Sequence, residues 1–252
     1  MVRIFYLLVL FVLSSLNLNA QSANELFEQG NSQYKDGKYT EAIASYEKIL
    51  SLDNVSAELY FNLGNCYYKL NKVAPSIYNY EKALKLDPSN SDAQNNLIFA
   101  KRLTLDRIDS LPKSLLQRFN ENYISQFSYN QWGFITVLFS FITAILFLLY
   151  YFYSGSNKKR LFFTTSIISL LLLITSLSIS FNQYTKSKNT IEAIVFNPEV
   201  SVKNEPTKDA DEAFILHEGT KVLVLDKVDD WSKIRLSDGK IGWLKIDNIK
   251  IF

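Results

Sequence analysis

His217 is the only histidine and Cys66 the only cysteine of the 252 residues, so the side chains best suited to metal binding, proton transfer or nucleophilic attack stand alone. A zinc shell needs several thiolates or imidazoles, and a disulfide needs two sulfurs. His217 precedes the Glu218-Gly219 turn signal and reads as structural or solvent-facing; Cys66, between Asn65 and Tyr67, reads as a small packed residue. The serines of Phe152-Tyr153-Ser154-Gly155-Ser156 lack the strand-to-helix turn of an activated nucleophile, and no glycine-rich stretch ends in Lys-Ser or Lys-Thr to cradle a phosphate. The expectation is a protein that is not an enzyme and needs neither cofactor nor metal. The chemistry that remains is recognition. Asn31, Asn62 and Asn65 carry amides that can donate to and accept from an extended peptide backbone. Phe27, Tyr34, Phe61 and Tyr68 add apolar contact at small entropy loss, with Lys35 and Lys69 beside them.

These residues fall in a segment, 24–107, that repeats itself. Gly30 and Gly64, Tyr34 and Tyr68, Tyr46 and Tyr80, Glu47 and Glu81, and Lys48 and Lys82 are each one period of about 34 residues apart. The repeats run 23–56 and 57–90. Small residues at Gly30, Ala42, Gly64 and Ser76 allow paired helices to approach, Tyr46 and Tyr80 fill the space between them, and Asp36-Gly37-Lys38 and Asn71-Lys72 break each pair. Asp87-Pro88-Ser89-Asn90 then introduces a capping helix whose Ala93, Leu97, Ala100 and Leu103 can cover the end of the stack. With Tyr60, Leu63, Gly64, Tyr67, Ser76, Tyr80, Ala83 and Pro88 at signature positions, the segment resembles tetratricopeptide repeats. That resemblance implies a concave partner-binding face carrying Phe27, Asn31, Tyr34, Lys35, Phe61, Asn62, Asn65, Tyr68 and Lys69. Asn31 and Asn62 resemble the asparagines with which family members clamp a terminal carboxylate. Phe27 stands where those clamps carry Lys, and Asn95 and Asn96 are not the basic residues expected there, which argues against carboxylate recognition.

Two apolar runs without a charged residue, 132–153 and 161–181, are each long enough to cross a bilayer core of roughly 30 Å. Neither offers an ionisable group for transport. Lys158, Lys159 and Arg160 crowd the loop 154–160 and place it in the cytoplasm, with both flanking regions outside. Arg3, the apolar stretch Ile4 to Leu13 and Ala20 read as a secretory signal peptide over 1–20, with an uncleaved anchor helix as the alternative. In a bacterium this makes a multi-pass inner-membrane protein with periplasmic outer domains. Between repeats and membrane, 111–131 places Leu115, Leu116, Phe119, Tyr123 and Phe127 at helical intervals. Such an amphipathic juxtamembrane segment lies on the membrane surface or packs against the repeats.

Beyond a polar stretch from Asn182 to Asn189, the period changes to that of strands. Ile191 to Phe196, Ala213 to Leu216, Val222 to Leu225, Trp231 to Leu236 and Ile241 to Leu244 are β-prone runs separated by turn signals. Because an open sheet leaves bare edges, a small closed barrel over 190–252 is expected. Glu218-Gly219-Thr220, Asp230-Trp231 and Gly239-Lys240-Ile241-Gly242-Trp243 resemble bacterial SH3-like domains, whose members bind peptides, cell-wall material or neighbouring proteins. Trp231 and Trp243 are either a binding platform or core. Acidic residues outnumber basic ones between Thr190 and Phe252, which disfavours a basic wall-polymer patch, and a net charge of +2 for the whole chain makes no case for nucleic acid.

The whole order predicts a multidomain membrane protein: an all-α repeat stack, a two-helix transmembrane hairpin and a small all-β barrel. It resembles the BatE family of Bacteroides aerotolerance membrane proteins. The resemblance implies a role in oxygen or oxidative-stress tolerance, with other Bat-type membrane or periplasmic proteins as partners. The function read from it is a noncatalytic scaffold or adaptor; a cell-envelope sensor binding wall material or a peptide through the SH3-like domain is the alternative.

Overall fold

The computed structural model describes residues 23–252. The signal-peptide segment 1–20 lies outside the described residues.

Helices α1 (23–35), α2 (Tyr39–Ser51), α3 (Ala57–Lys69) and α4 (Val73–Leu86) form two successive pairs. Gly37 and Asn71 turn the chain within each pair through positive φ, at 75° and 55°. The small residues act by proximity. A Cβ on Gly64 would meet the Tyr80 ring at 2.6 Å, and one on Gly30 would overlap the ring of Tyr46. Ser76 donates to the Gly64 carbonyl at 3.1 Å, so its hydroxyl is satisfied in a fully buried position. Helix α5 (Ser91–Lys101) begins on Asn90, whose side chain accepts from the Ala93 amide at 2.9 Å. Ala93, Leu97 and Ala100 are buried on α4, whereas Leu103, expected to join them, lies past the helix end and is 42% exposed.

A strap, 102–114, leads to α6 (Leu115–Phe119), which runs on through one π-helical turn, Asn120–Ile124. Helices α7 (Tyr129–Phe152) and α8 (Ser156–Asn189) then pack side by side, joined by residues 153–155 alone. Both are long and apolar enough to cross a membrane. Their seam is polar: Thr136 donates to Ser176 at 3.0 Å, and Thr143 and Ser169 hydroxyls are 2.8 Å apart. Each threonine also bonds a carbonyl one turn back in its own helix, so the seam's hydroxyls have partners. The basic residues of the loop are the first turns of α8, and Asn182 to Asn189, read above as a polar connection, are its last two turns.

Seven antiparallel strands follow, β1 (Ile191–Val195), β2 (Glu199–Lys203), β3 (Glu212–His217), β4 (Lys221–Val228), β5 (Trp231–Arg235), β6 (Ile241–Lys245) and β7 (Ile249–Ile251). Their order is β3-β2-β6-β5-β4-β1-β7, and among the described residues no pairing joins β3 to β7. The sheet is open. This overturns the expected SH3-like barrel: the motifs at Gly219 and Gly239 mark turns with φ of 86° and 94° and do not signify closure. The physical reason is that distant parts of the chain meet both edges at one end. At the β3 edge, the His217 amide donates to Asp106 of the strap at 2.7 Å. Beside β7, Tyr78 of α4 donates its hydroxyl to the Ile251 carbonyl at 3.2 Å, and Phe252 packs edge-on to the Tyr78 ring.

The sheet's core is built from Val195, Val202, Val222, Ile234 and Leu244, and Ile108 of the strap packs against it. A separate apolar cluster joins Ile77, Tyr78 and Leu97 of the helices to Ile194 and Phe252. Repeats, strap and sheet therefore share interior surface.

Candidate functional site

The repeat period places the same four side chains at two stations. At the first, Phe27 lies against the Tyr46 ring with centroids 5.8 Å apart, the Tyr46 hydroxyl donates to Asn31 Oδ1 at 2.7 Å, and Asn62 Nδ2 donates to the same oxygen at 3.2 Å. At the second, Phe61 lies 6.1 Å from Tyr80, the Tyr80 hydroxyl donates to Asn65 Oδ1 at 2.6 Å, and Asn96 Nδ2 donates there at 2.8 Å. Each station spans one repeat and the first helix of the next, so the asparagines record the stacking of neighbouring repeats. Burial pushes the Tyr46 and Tyr80 phenols well above their ordinary range, which keeps both as donors.

The four asparagines are half-buried. With their oxygens taken, Asn31 and Asn65 have Nδ2 to offer, while Asn62 and Asn96 have Oδ1. The face thus alternates donors with acceptors. Phe27 and Phe61 are half-buried walls braced by tyrosines. Tyr34 packs edge-on to Tyr39 at 5.3 Å, Tyr68 rests against the cluster beneath α4 and α5, and Lys35 and Lys69 are exposed at the ends of α1 and α3. Asn96 belongs to this set, although it was absent from the residues proposed for the face. Its signal was its position one repeat beyond Asn62.

Trp231 and Trp243 lie elsewhere. Along β5 and β6 they alternate with buried Ser232, Ile234 and Leu244, which puts both indoles on the outer face of the sheet, half-buried and outside its core. Lys233 Nζ sits 5.7 Å from the Trp243 ring centre.

His217 is a joint. Its Nδ1 lies 2.7 Å from Asp106 Oδ1, while its amide and the Thr220 hydroxyl both bond Asp106 Oδ2. Burial disfavours the Asp106 carboxylate, but these hydrogen bonds, Thr220 first, outweigh it and hold the group below its ordinary value. A second joint surrounds Glu81, which is buried on α4 and takes Lys101 at 2.7 Å and Lys221 of β4 at 2.8 Å. Lys221 also reaches Glu192 of β1 at 3.1 Å. Here too burial penalises the charges, and the attraction of the lysines prevails, lowering the Glu81 pKa and raising that of Lys221. Cys66 is fully buried and its thiol is pushed up to about 12, the state of an inert packing residue.

A cleft of about 1120 Å³ opens between strap and sheet, lined by Asp106, Arg107, Glu192, Lys221 and Arg235 among others. Its lining mixes both signs of charge, several of them engaged in the two joints.

Residues 30–71 match the family model described as TPR repeat, and residues 57–90 match the tetratricopeptide repeat model. The described helices thus include a tetratricopeptide-repeat segment, a noncatalytic protein-interaction fold. Among solved structures, the first TPR of Spaghetti (RPAP3) bound to the HSP90 peptide SRMEEVD is 32% identical, over 33% of this chain and 68% of that one, with a TM-score of 0.31. The Arabidopsis OM64 TPR domain is 20% identical, over 48% and 84%, with a TM-score of 0.32. The Sgt2 TPR domain from Aspergillus fumigatus is 14% identical, over 76% and 90%, with a TM-score of 0.30. No curated protein matches the chain.

Proposed function

We propose that this chain is a membrane-anchored scaffold whose repeats hold an extended segment of a partner protein along the face of Phe27, Asn31, Tyr34, Lys35, Phe61, Asn62, Asn65, Tyr68 and Lys69. The observation that carries this reading is the doubled asparagine–tyrosine station, which leaves amide donors and acceptors alternating along one groove. A main chain offers the complementary alternation; a lone carboxylate offers acceptors alone. The aromatic walls are already braced, so a bound segment would order few side chains.

The two apolar helices support an inner-membrane anchor, and the basic residues at the start of α8 support a cytoplasmic turn with repeats and sheet in the periplasm. The order of segments supports membership of a Bat assembly linked to aerotolerance or oxidative stress. The test is purification of the whole chain from its native membrane in mild detergent and identification of the copurifying proteins. A variant combining Asn62→Ala and Tyr68→Ala, shown by circular dichroism to keep its helices at the assay temperature, is expected to lose the partner. Retention of the same partners by that variant would remove the repeat face from the function.

A further inference from the structure

We infer that the segment from Leu115 to Phe127 is a third membrane contact, lying in the headgroup layer beside the two crossings. The inference rests on the reading of α7 and α8 as a transmembrane hairpin. Helix α6 and its π turn form one helical body of ten residues, Leu115–Ile124, opened by a capping box in which Ser114 and Gln117 satisfy each other's amides. At about 100° per residue, Leu115, Leu116, Phe119 and Tyr123 share one arc, while Gln117, Arg118 and Glu121 lie on the other side. Among the described residues no other element covers the apolar arc: Leu115 and Leu116 are each 82% exposed, Tyr123 65% and Phe119 55%. These side chains do not pack on the repeats.

Their depth is set by the end of the body, which is tied to the hairpin. The Ile124 carbonyl accepts from Trp132 Nε1 at 3.0 Å and from Gln183 Nε2 at 2.9 Å, and Phe127 packs edge-on to Trp132 at 5.8 Å. Tyr129 and Tyr184 face each other at the same level, 5.6 Å apart, and Ser180 donates to the Tyr129 carbonyl. Amphipathic aromatic rings and side chains that satisfy carbonyls mark the zone where hydrocarbon gives way to water. The apolar arc is therefore continuous with the lipid-facing surface of the hairpin, at the height where an interfacial helix buries its apolar face and keeps its polar face wet. A bilayer is the occupant that this continuity selects.

The test uses the full chain in phospholipid nanodiscs, spin-labelled one site at a time. Cys66, fully buried, stays unlabelled. Leu116→Cys and Phe119→Cys probe the apolar arc, Glu121→Cys the polar side, Phe141→Cys the exposed middle of the hairpin and Glu41→Cys the repeats. Relaxation by oxygen, which partitions into lipid, is compared with relaxation by a water-soluble nickel chelate. The expected result is an oxygen-to-chelate ratio at 116 and 119 several-fold above that at 121 and close to that at 141. Labels at 116 and 119 that behave like the one at 41, or that are shielded from both agents as in a protein interface, overturn the inference while 141 still reads lipid. A label at 141 that reads water instead overturns the hairpin reading, and the inference falls with it.

Discussion

At the scale of the residue, the repeat stack depends on contacts that tolerate little change. A methyl group added at Gly64 must displace the Tyr80 ring, since its Cβ would lie 2.6 Å from that ring. Gly64→Ala is expected to cost about 1–3 kcal/mol, read as a lowered urea midpoint. Tyr80→Phe removes one donor from Asn65 while Asn96 remains, so its cost is expected near 1 kcal/mol, and Asn96→Ala in the same background should cost more than it does alone. Asp106 makes the joint to the sheet sensitive to acid. Its folded pKa lies below the unfolded value, so its contribution is whole above about pH 4 and is lost as the pH falls through the lowered value. Urea midpoints measured from pH 6 to 3 should drop in the wild type, and Asp106→Asn should flatten that part of the profile. The asparagines themselves were readable from their spacing. Their hydrogen bonds to Tyr46 and Tyr80 were not, because a donor and its acceptor fifteen residues apart carry no local signature.

At the scale of the element, α7 and α8 were legible because an uninterrupted apolar run states its own length. The end of α8 was not. Asn182 to Asn189 has no apolar periodicity, yet extending an existing helix adds a hydrogen bond for each residue fixed, and Gln183 and Tyr184 find partners on Ile124 and Tyr129. The sheet therefore sits directly on a helix, with Thr190 alone between α8 and β1. Between α7 and α8, replacing Thr143 with Val and Ser169 with Ala removes one interhelical contact. Each change is expected to cost about 0.6–1 kcal/mol, measured by steric trapping in bilayers, with coupling between the two. On the repeat side, Glu81 joins α4 and α5 to β1 and β4 through two lysines. Glu81→Gln leaves half-buried Lys221 with Glu192 as its remaining carboxylate and is expected to cost about 1–3 kcal/mol, with hydrogen-exchange protection lost first along β1 and β4.

At the scale of the molecule, the sheet is not an autonomous unit. Ile108 completes its core, Asp106 meets one edge, and Tyr78 and Phe252 meet the other against α4. Residues 190–252 produced alone are expected to lack a dispersed amide NMR spectrum, whereas the chain that includes 23–114 supplies the missing surface. The sequence by itself determined the elements whose causes are local: the helix pairs from a repeat with small residues at fixed positions, and the hairpin from two apolar runs around a basic turn. It also determined five of the seven strands, from β-branched runs between turn residues, whereas β2 and β7 were not among those runs. It misled where an edge seemed to need closure, because the groups that meet it come from Asp106 and Tyr78, more than a hundred residues away. Only the tertiary structure decided that the sheet stays open and leans on the repeats. An unpaired strand edge requires hydrogen-bonding partners, and any segment that folding brings within reach can supply them.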